Sequence, residues 1–327
     1  MISLNPENRL LWIVVITVLL MAAVSFAQLP GSSLLWRALQ NAAHVPFFML
    51  ITFLIYAGIR LLATDREVSW LRQLMLTAEL AIVFAGLTEI VQIATGRVPS
   101  MLDWAHDILG VIAALIVLLF IEPHSRLYWR KRWRVLHGTA LVALLGLLVY
   151  AFYPLASIAQ ASWQRDRAFP VVMDLQADWA PAFTDAQQAL IEPAPAKTVP
   201  MAEGMARIVL LPGQYPSVEM IELSPDWSGY TSLAFTVWLP PEQANQTLEY
   251  LVLRVQDQQH NQRYGDRYNQ RLYIKPGENH FRISLKSIRL APQGREMAMQ
   301  SMAALKLFAA DLQQPVTFYL SAMRLLR

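Results

Sequence analysis

Residues 89–110, EIVQIATGRVPSMLDWAHDILG, carry six side chains able to hold charge or hydrogen-bond a ligand: Glu89, Gln92, Arg97, Asp103, His106 and Asp107. Glu89 and Gln92 are three residues apart and share a face if the segment is helical. Asp103, His106 and Asp107, at i, i+3 and i+4, share another. Paired carboxylates with split pKa values can divide acid and base roles. An arginine can clamp a carboxylate or phosphate at two points. His with Asp or Glu would also suit a metal by ligand type, but no H-x-x-x-H spacing supports one, and neither metal nor cofactor is expected. Arg97 with Glu89 or Asp103 also has a plainer use, as a clasp between two helices. Ser100 and Asp103 form an S-x-x-D capping box, which starts a helix at that point.

The elements that must position these groups are long and apolar. The 327 residues are 55% hydrophobic and 16% charged, and the excess lies in residues 1–155, where near-uncharged runs are long enough to cross a bilayer as helices. Five spans are predicted, at about 10–27, 43–62, 71–95, 105–121 and 135–155, forming an α-helical polytopic membrane domain over 1–155. A linker follows at 156–168, then an all-β sandwich or jelly-roll domain at 169–327. For the first span, Ser25-Phe26-Ala27 leaves a cleaved signal peptide as the alternative. Glu79, deeper in the third span, has Arg72 or Arg60 as its available partner. With no cysteine, disulfides, thiolate nucleophiles and cysteine metal ligands are excluded. The net charge of +3 comes from the membrane half, where eleven Lys/Arg face eight Asp/Glu. Nothing in that distribution points to nucleic acid.

Lys and Arg favour cytoplasmic loops. Nine of them (Arg9, Arg60, Arg66, Arg72, Arg126, Arg130, Lys131, Arg132 and Arg134) fall on one side of the predicted spans, and only Arg37 and Arg97 on the other. The N-terminus is therefore expected inside and the β domain outside, in the inner (cytoplasmic) membrane of a bacterium with the sandwich periplasmic. On that topology, TGRVPS (95–100) is an external loop, and His44 meets it from the external end of the second span.

NAAHVPFF (41–48), E-x-x-Q (Glu89, Gln92), G-R (Gly96, Arg97) and S-x-x-D-x-x-x-D-x-x-G (Ser100, Asp103, Asp107, Gly110), in that order, resemble the VanZ-like membrane domain over residues 10–121. That family is named for a protein associated with low-level teicoplanin resistance. The resemblance implies an envelope protein linked to antibiotic or envelope resistance, with His44, Glu89, Gln92, Arg97, Asp103 and Asp107 as a ligand-binding set. Asn41 stands where family members often have Lys, and Asp107 where many have Asn. Gly110-x-x-x-Ala114 permits close helix packing.

From residue 169 the pattern changes to short runs divided by Pro, Gly and Asp, among them ARIVLLPG, YTSLAFTVWLP, LEYLVLRVQD, RLYIKPG, NHFRISL, LKLFAADL and PVTFYLSAMRLL. These read as strands of a sandwich. Residues 178–205, rich in Pro and Ala, read as a long loop. Together, PDWSGYTSLAFTV, residues 253–285 and FYLSAMRL resemble the galactose-binding-like, carbohydrate-binding-module-like sandwich. That resemblance implies a glycan ligand. In the loop 257–269, Asp257, His260, Asn261, Tyr264, Asp266 and Arg267 are the glycan-binding candidates. The alternative is a polar hairpin loop braced by its own ion pairs.

These features point to a non-catalytic binder of an envelope glycan, glycolipid or glycopeptide-like ligand at the external membrane face. The partners expected are the lipid bilayer, a cell-envelope glycan or glycolipid, and a periplasmic protein, but no nucleic acid. The alternative is a membrane-embedded hydrolase or transferase acting on a lipid-linked glycan, with Glu89 or Asp103 as base and His44 as acid.

Overall fold

The computed structural model describes residues 5–26, 33–63, 68–94, 100–128, 132–193, 204–224, 226–241 and 248–327. The chain divides into two units, 1–158 and 159–327.

The first unit is helical: α1 (Pro6–Phe26), α2 (Leu34–Leu62), α3 (Trp70–Ala94), α4 (Met101–Ile121), the short α5 (Pro123–Tyr128) and α6 (Trp133–Ala168). Among the described residues, four helices are long and apolar enough to cross a membrane, at Leu34–Leu62, Trp70–Ile93, Met101–Ile121 and Trp133–Ala168. The expected first span falls in α1, a helix of 21 residues that is not among those four. Outward positions are apolar, as with Leu19 at 63%, Ile90 at 62% and Val142 at 70% exposure. A bundle facing water would put polar residues there.

Two predicted boundaries move. α2 begins at Leu34, with Ser33 Oγ accepting the Trp36 N–H at 3.3 Å, because LLWRALQNAA contains good helix formers and no breaker. α6 runs through the whole expected linker 156–168. SIAQASWQRDRA contains no Gly or Pro, and Arg165 in the last turn donates to the Glu222 carbonyl at 2.5 Å and lies over the Phe183 ring.

Inside the bundle, Phe48, Ile51 and Ile55 of α2 pack on Ala81 and Ala85 of α3 and Val111 of α4. α2 and α4 come close because Gly110 faces the α2 backbone, where a Cβ would sit 2.5 Å from the Val45 carbonyl oxygen and 3.1 Å from the Met49 nitrogen. Ala113 and Ala114 continue that seam, fully buried.

The second unit is a sandwich of two antiparallel sheets. One has the order β1 (Val171–Met173), β12 (Met323–Leu326), β6 (Ser232–Leu239), β11 (Val316–Leu320), β4 (Ala206–Leu210) and β3 (Ala189–Pro193), with β9 (Gly277–Ser284) also on β6. The other runs β2 (Thr184–Gln187), β5 (Ser217–Ile221), β10 (Met302–Phe308), β7 (Tyr250–Asp257) and β8 (Tyr268–Tyr273). The expected loop at 178–205 is thus partly ordered, into a helical turn α7 (Ala180–Phe183), β2 and β3, while 194–203 lies outside the described residues. Both strands are short, β2 buries none of its four residues and β3 ends on Pro193, which hides them from a search for alternation. Alternation along β7 buries Leu251, Leu253 and Val255 and turns Tyr250, Val252 and Arg254 outward. Trp227 is fully buried, its Nε1 donating to the Ser224 carbonyl at 2.9 Å.

Candidate functional site

Two places bring chemistry-bearing residues together. In the helical unit, His44 is buried ten residues into α2 rather than at its end, its Nδ1 2.7 Å from Asp107 Oδ1. The extension of α2 back to Leu34 accounts for that shift. Asp107 is wholly buried, and its Oδ2 has no hydrogen-bond partner among the described residues. The carboxylates of Asp103 and Glu89 act electrostatically on both members of this pair.

Glu89 joins α3 to the start of α4, its Oε2 accepting the Ser100 N–H at 2.8 Å while Oε1 is buried without a partner among the described residues. Only half of the expected capping box forms: Ser100 Oγ accepts the Asp103 N–H at 3.2 Å. Glu89 takes the Ser100 N–H that Asp103 would have taken, which leaves the Asp103 carboxylate beside the buried pair. Gln92 is fully buried, one turn further along α3.

His106 departs from the expected shared face. Its Nδ1 meets the Leu102 carbonyl oxygen at 2.7 Å, and it lines a separate cleft with Arg37, Asn41, Tyr150 and Tyr153. About 100° of helical rotation separates it from Asp107, enough to turn it toward another neighbour. Arg97 and Gly96 lie outside the described residues. Among the described residues no three His, Asp or Glu side chains are grouped to hold a metal.

A second polar knot on the same two helices was missed. Glu122, at the end of α4, accepts from Tyr56 Oη at 2.6 Å and Arg60 Nη1 at 2.8 Å, and its other oxygen lies 2.8 Å from His124 Nδ1. Arg60 therefore serves Glu122 and not Glu79. The two knots follow each other in the same order on both helices, His44 then Tyr56 on α2 and Asp107 then Glu122 at the end of α4, so these helices run parallel.

The sandwich loop at 257–269 splits in two. Arg295 chelates Asp257 through Nη1 at 2.6 Å and Nη2 at 2.8 Å, and its Nε reaches Asp266 at 2.5 Å. Asp257 Oδ2 also accepts the Ala298 N–H, and Asp266 Oδ2 the Asn261 N–H. His260 Nδ1 meets the Asp266 carbonyl oxygen at 2.9 Å. Burial opposes the charge on Asp257, yet the Arg295 hydrogen bonds prevail and hold its pKa below the usual carboxylate value. Asp266 is lowered by its bonds to Arg295 and the Asn261 N–H. Four of the six loop candidates, Asp257, His260, Asn261 and Asp266, thus brace the loop. Arg295 escaped notice because it arrives from 29 and 38 residues away.

The other two, Tyr264 and Arg267, open onto a groove of about 510 Å³ on the five-stranded sheet. A 3-10 turn (Tyr264–Asp266) leaves Tyr264 73% exposed while burying Asp266. Strand register builds the groove floor: Lys306, Arg254 and Asn269 form one row across three strands, with Glu219 beside Lys306 just outside the groove, and Phe308, Val252 and Arg271 form the next. Tyr215 and Tyr250 complete the wall. Arg271 lies over Tyr250 and Arg267 over Tyr264, at 4.7 and 5.2 Å to the ring centroids. Arg267 Nε and Asn269 Oδ1 are buried without hydrogen-bond partners among the described residues. Buried polar atoms are normally satisfied, which sets these two apart among the polar atoms of the groove's described residues. The outward face of β7 was readable from its alternation. Its pairing with β8 and β10 was not.

No protein-family model matches the chain, and no curated protein matches it, so the VanZ-like resemblance stands on its motif residues. Among solved structures, the chain is similar to the agarase AgWH50C, at 16% identity over 47% of this chain and 25% of that one, with a TM-score of 0.36. It is similar to the family 11 carbohydrate-binding module from Clostridium thermocellum in complex with a β-1,3-1,4-mixed-linked tetrasaccharide, at 12% identity over 44% and 83%, TM-score 0.32. A third similar structure, described as "CBM4 structure and function", gives 12% over 44% and 96%, TM-score 0.27. The chain spans about a quarter of the agarase chain.

Proposed function

We propose that this chain is a VanZ-like integral membrane protein of the bacterial envelope that binds a cell-envelope glycan, glycolipid or glycopeptide-like ligand without turning it over. α1 is taken as the fifth span, with the N-terminus cytoplasmic, the sandwich periplasmic and a contribution to envelope or antibiotic resistance. The observation that carries the reading is the groove on the five-stranded sheet. Tyr215, Tyr250 and Tyr264 supply aromatic faces for sugar rings, and Arg267 Nε and Asn269 Oδ1 have no partners among the described residues. Sugar hydroxyls both donate and accept, so one ring can satisfy the two together.

The test is calorimetric titration of envelope oligosaccharides into the full chain held in zwitterionic nanodiscs, comparing wild type with Asn269→Ala. Binding that weakens in the variant supports the reading; no binding across the panel removes it. Topology is tested separately with single cysteines, since the chain has none. Ser228→Cys should react with an impermeant maleimide from the periplasm and Ser69→Cys should not. The reverse result overturns the orientation.

A second reading has its own support in the buried His44–Asp107 pair, with Asp107 Oδ2 and Glu89 Oε1 without a partner among the described residues. In a membrane-embedded hydrolase or transferase, His44 would act as acid and Glu89 or Asp103 as base. Cleavage of a lipid-linked glycan by wild type, lost in His44→Gln, would favour it over simple binding.

A further inference from the structure

The groove is basic as well as aromatic. Arg254, Arg267, Arg271 and Lys306 line it, and no carboxylate does. The nearest acid is Glu219, whose Oε2 is 3.0 Å from Lys306 Nζ, so it offsets one of the four cations. Arg254 donates from Nε and Nη2 to the neutral Gln256 Oε1 at 3.1 and 2.6 Å. Arg271 and Arg267 face tyrosine rings, and Arg267 Nε has no acceptor among the described residues. Burial, and then the charge of Arg267, pull the Arg254 pKa down, and Glu219 offsets part of that. Alternation and register put Arg254 and Arg271 on one face two strands wide. Like charges so placed are unfavourable until an anion joins them, and a planar guanidinium matches a carboxylate or an oxygen-rich ester at two points.

We infer that the groove selects an acidic glycan, a sugar bearing a carboxylate or a sulfate or phosphate ester, with Arg254, Arg267 and Arg271 engaging the anion and Tyr250 and Tyr264 the rings. This rests on the glycan-binding reading above and narrows it. A neutral sugar would leave three guanidiniums with no added charged partner, whereas an acidic one neutralises them, and at Arg254 burial has already thinned the hydration.

The test uses the full chain in zwitterionic nanodiscs, so that the bilayer adds no anionic headgroup. Four probes are titrated: an oligogalacturonate, the matching neutral galactose oligomer, a sulfated galactose oligomer, and inorganic phosphate alone. The expected result is that at least one acidic oligomer binds about tenfold more tightly than the neutral one, as charge-assisted hydrogen bonds replace neutral ones. That advantage should shrink as salt rises from about 0.1 M to about 1 M, which shortens the screening length from about 10 Å to about 3 Å. Arg267→Gln should abolish the preference. Arg271→Gln, at an exposed site on the edge strand β8, should reduce it with the fold intact. Equal, salt-independent binding of neutral and acidic oligomers would overturn the acid preference and leave glycan binding standing. Phosphate binding as tight as the acidic oligomers would reduce the groove to an anion site with no sugar specificity. Silence from all four probes would remove the glycan reading and this inference together.

Discussion

The cluster around Asp107 and the groove around Arg254 handle charge in opposite ways. Between the helices, three carboxylates, Glu89, Asp103 and Asp107, surround one imidazole, His44, in a closed seam. On the sheet, Arg254, Arg267, Arg271 and Lys306 line an open groove, and Glu219 beside it pairs with Lys306. The scaffolds explain the contrast. Helices packed through Gly110 bring side chains from different segments into contact and exclude solvent. A strand sends every second side chain to one open face, so charges accumulate there without closing on each other. The first arrangement suits holding elements together around a few orphaned oxygens, and the second suits taking up something from outside.

The largest effect should come from breaking the seam. Gly110→Ala puts a Cβ 2.5 Å from the Val45 carbonyl oxygen, and backbone on the far side gives it nowhere to go. α2 and α4 must part, at a cost of about 3 kcal/mol, and the His44–Asp107 contact goes with them. Thermal unfolding in detergent measures the loss. Gly138→Ala, where a Cβ meets nothing within 4 Å, should be neutral or slightly stabilising. Equal behaviour of the two variants would mean that the close approach does not hold the bundle.

Arg295→Ala is the counterpart in the sandwich, expected to cost about 2–3 kcal/mol because it strands the buried Asp257. The sign of its pH dependence follows from the lowered pKa values of Asp257 and Asp266. A carboxylate with a lowered folded pKa adds stability that is present above its unfolded value of about 3.9 and lost as pH falls through the folded one. Wild type should therefore keep that contribution at neutral pH and lose it below about pH 4. In Arg295→Ala the acid loss should be shallower, since less remains to be lost. Urea melts at pH 7 and pH 3 follow this directly, and an unchanged difference between the two pH values would show that the Arg295 pairs are energetically idle.

How far all this was legible depended on distance along the chain. Apolar runs and strand alternation are local, and they were visible. The Ser100 cap was visible too, but Glu89 in place of Asp103 as acceptor of its N–H depends on how α3 meets α4. The polar loop 257–269 attracted attention because its residues are contiguous, yet four of its six candidates are tied up internally, two of them by a residue from beyond the loop. The groove went unseen because it is assembled across β10, β7 and β8, whose order in the sheet departs from their order in sequence. Single-sequence reading detects charge density. It does not detect whether a charge is already paired.

A smaller loss should follow Glu89→Ala. Removing the acceptor leaves the Ser100 N–H without its partner at the start of α4, worth about 1–2 kcal/mol. Glu89→Gln keeps an acceptor oxygen and should cost less. Hydrogen exchange at the Ser100 amide reads the difference, and equal protection in wild type and Glu89→Ala would separate Glu89 from the cap.

Tyr264→Ala should alter stability least and distinguish the two regions most clearly. The side chain is 73% exposed, and its one described ring contact is with Arg267, so the unfolding free energy should hold within about 0.5 kcal/mol of wild type. Glycan affinity should fall about tenfold if the ring is a stacking platform at the groove mouth. Every substitution proposed for the helical seam acts on stability first, and any effect on a ligand would follow from it. Tyr264 reverses that order, because an open face can lose its ligand without loosening its scaffold. A variant that binds normally would confine the groove's recognition to the guanidiniums, and one that unfolds would make Tyr264 part of the brace it was read as standing outside.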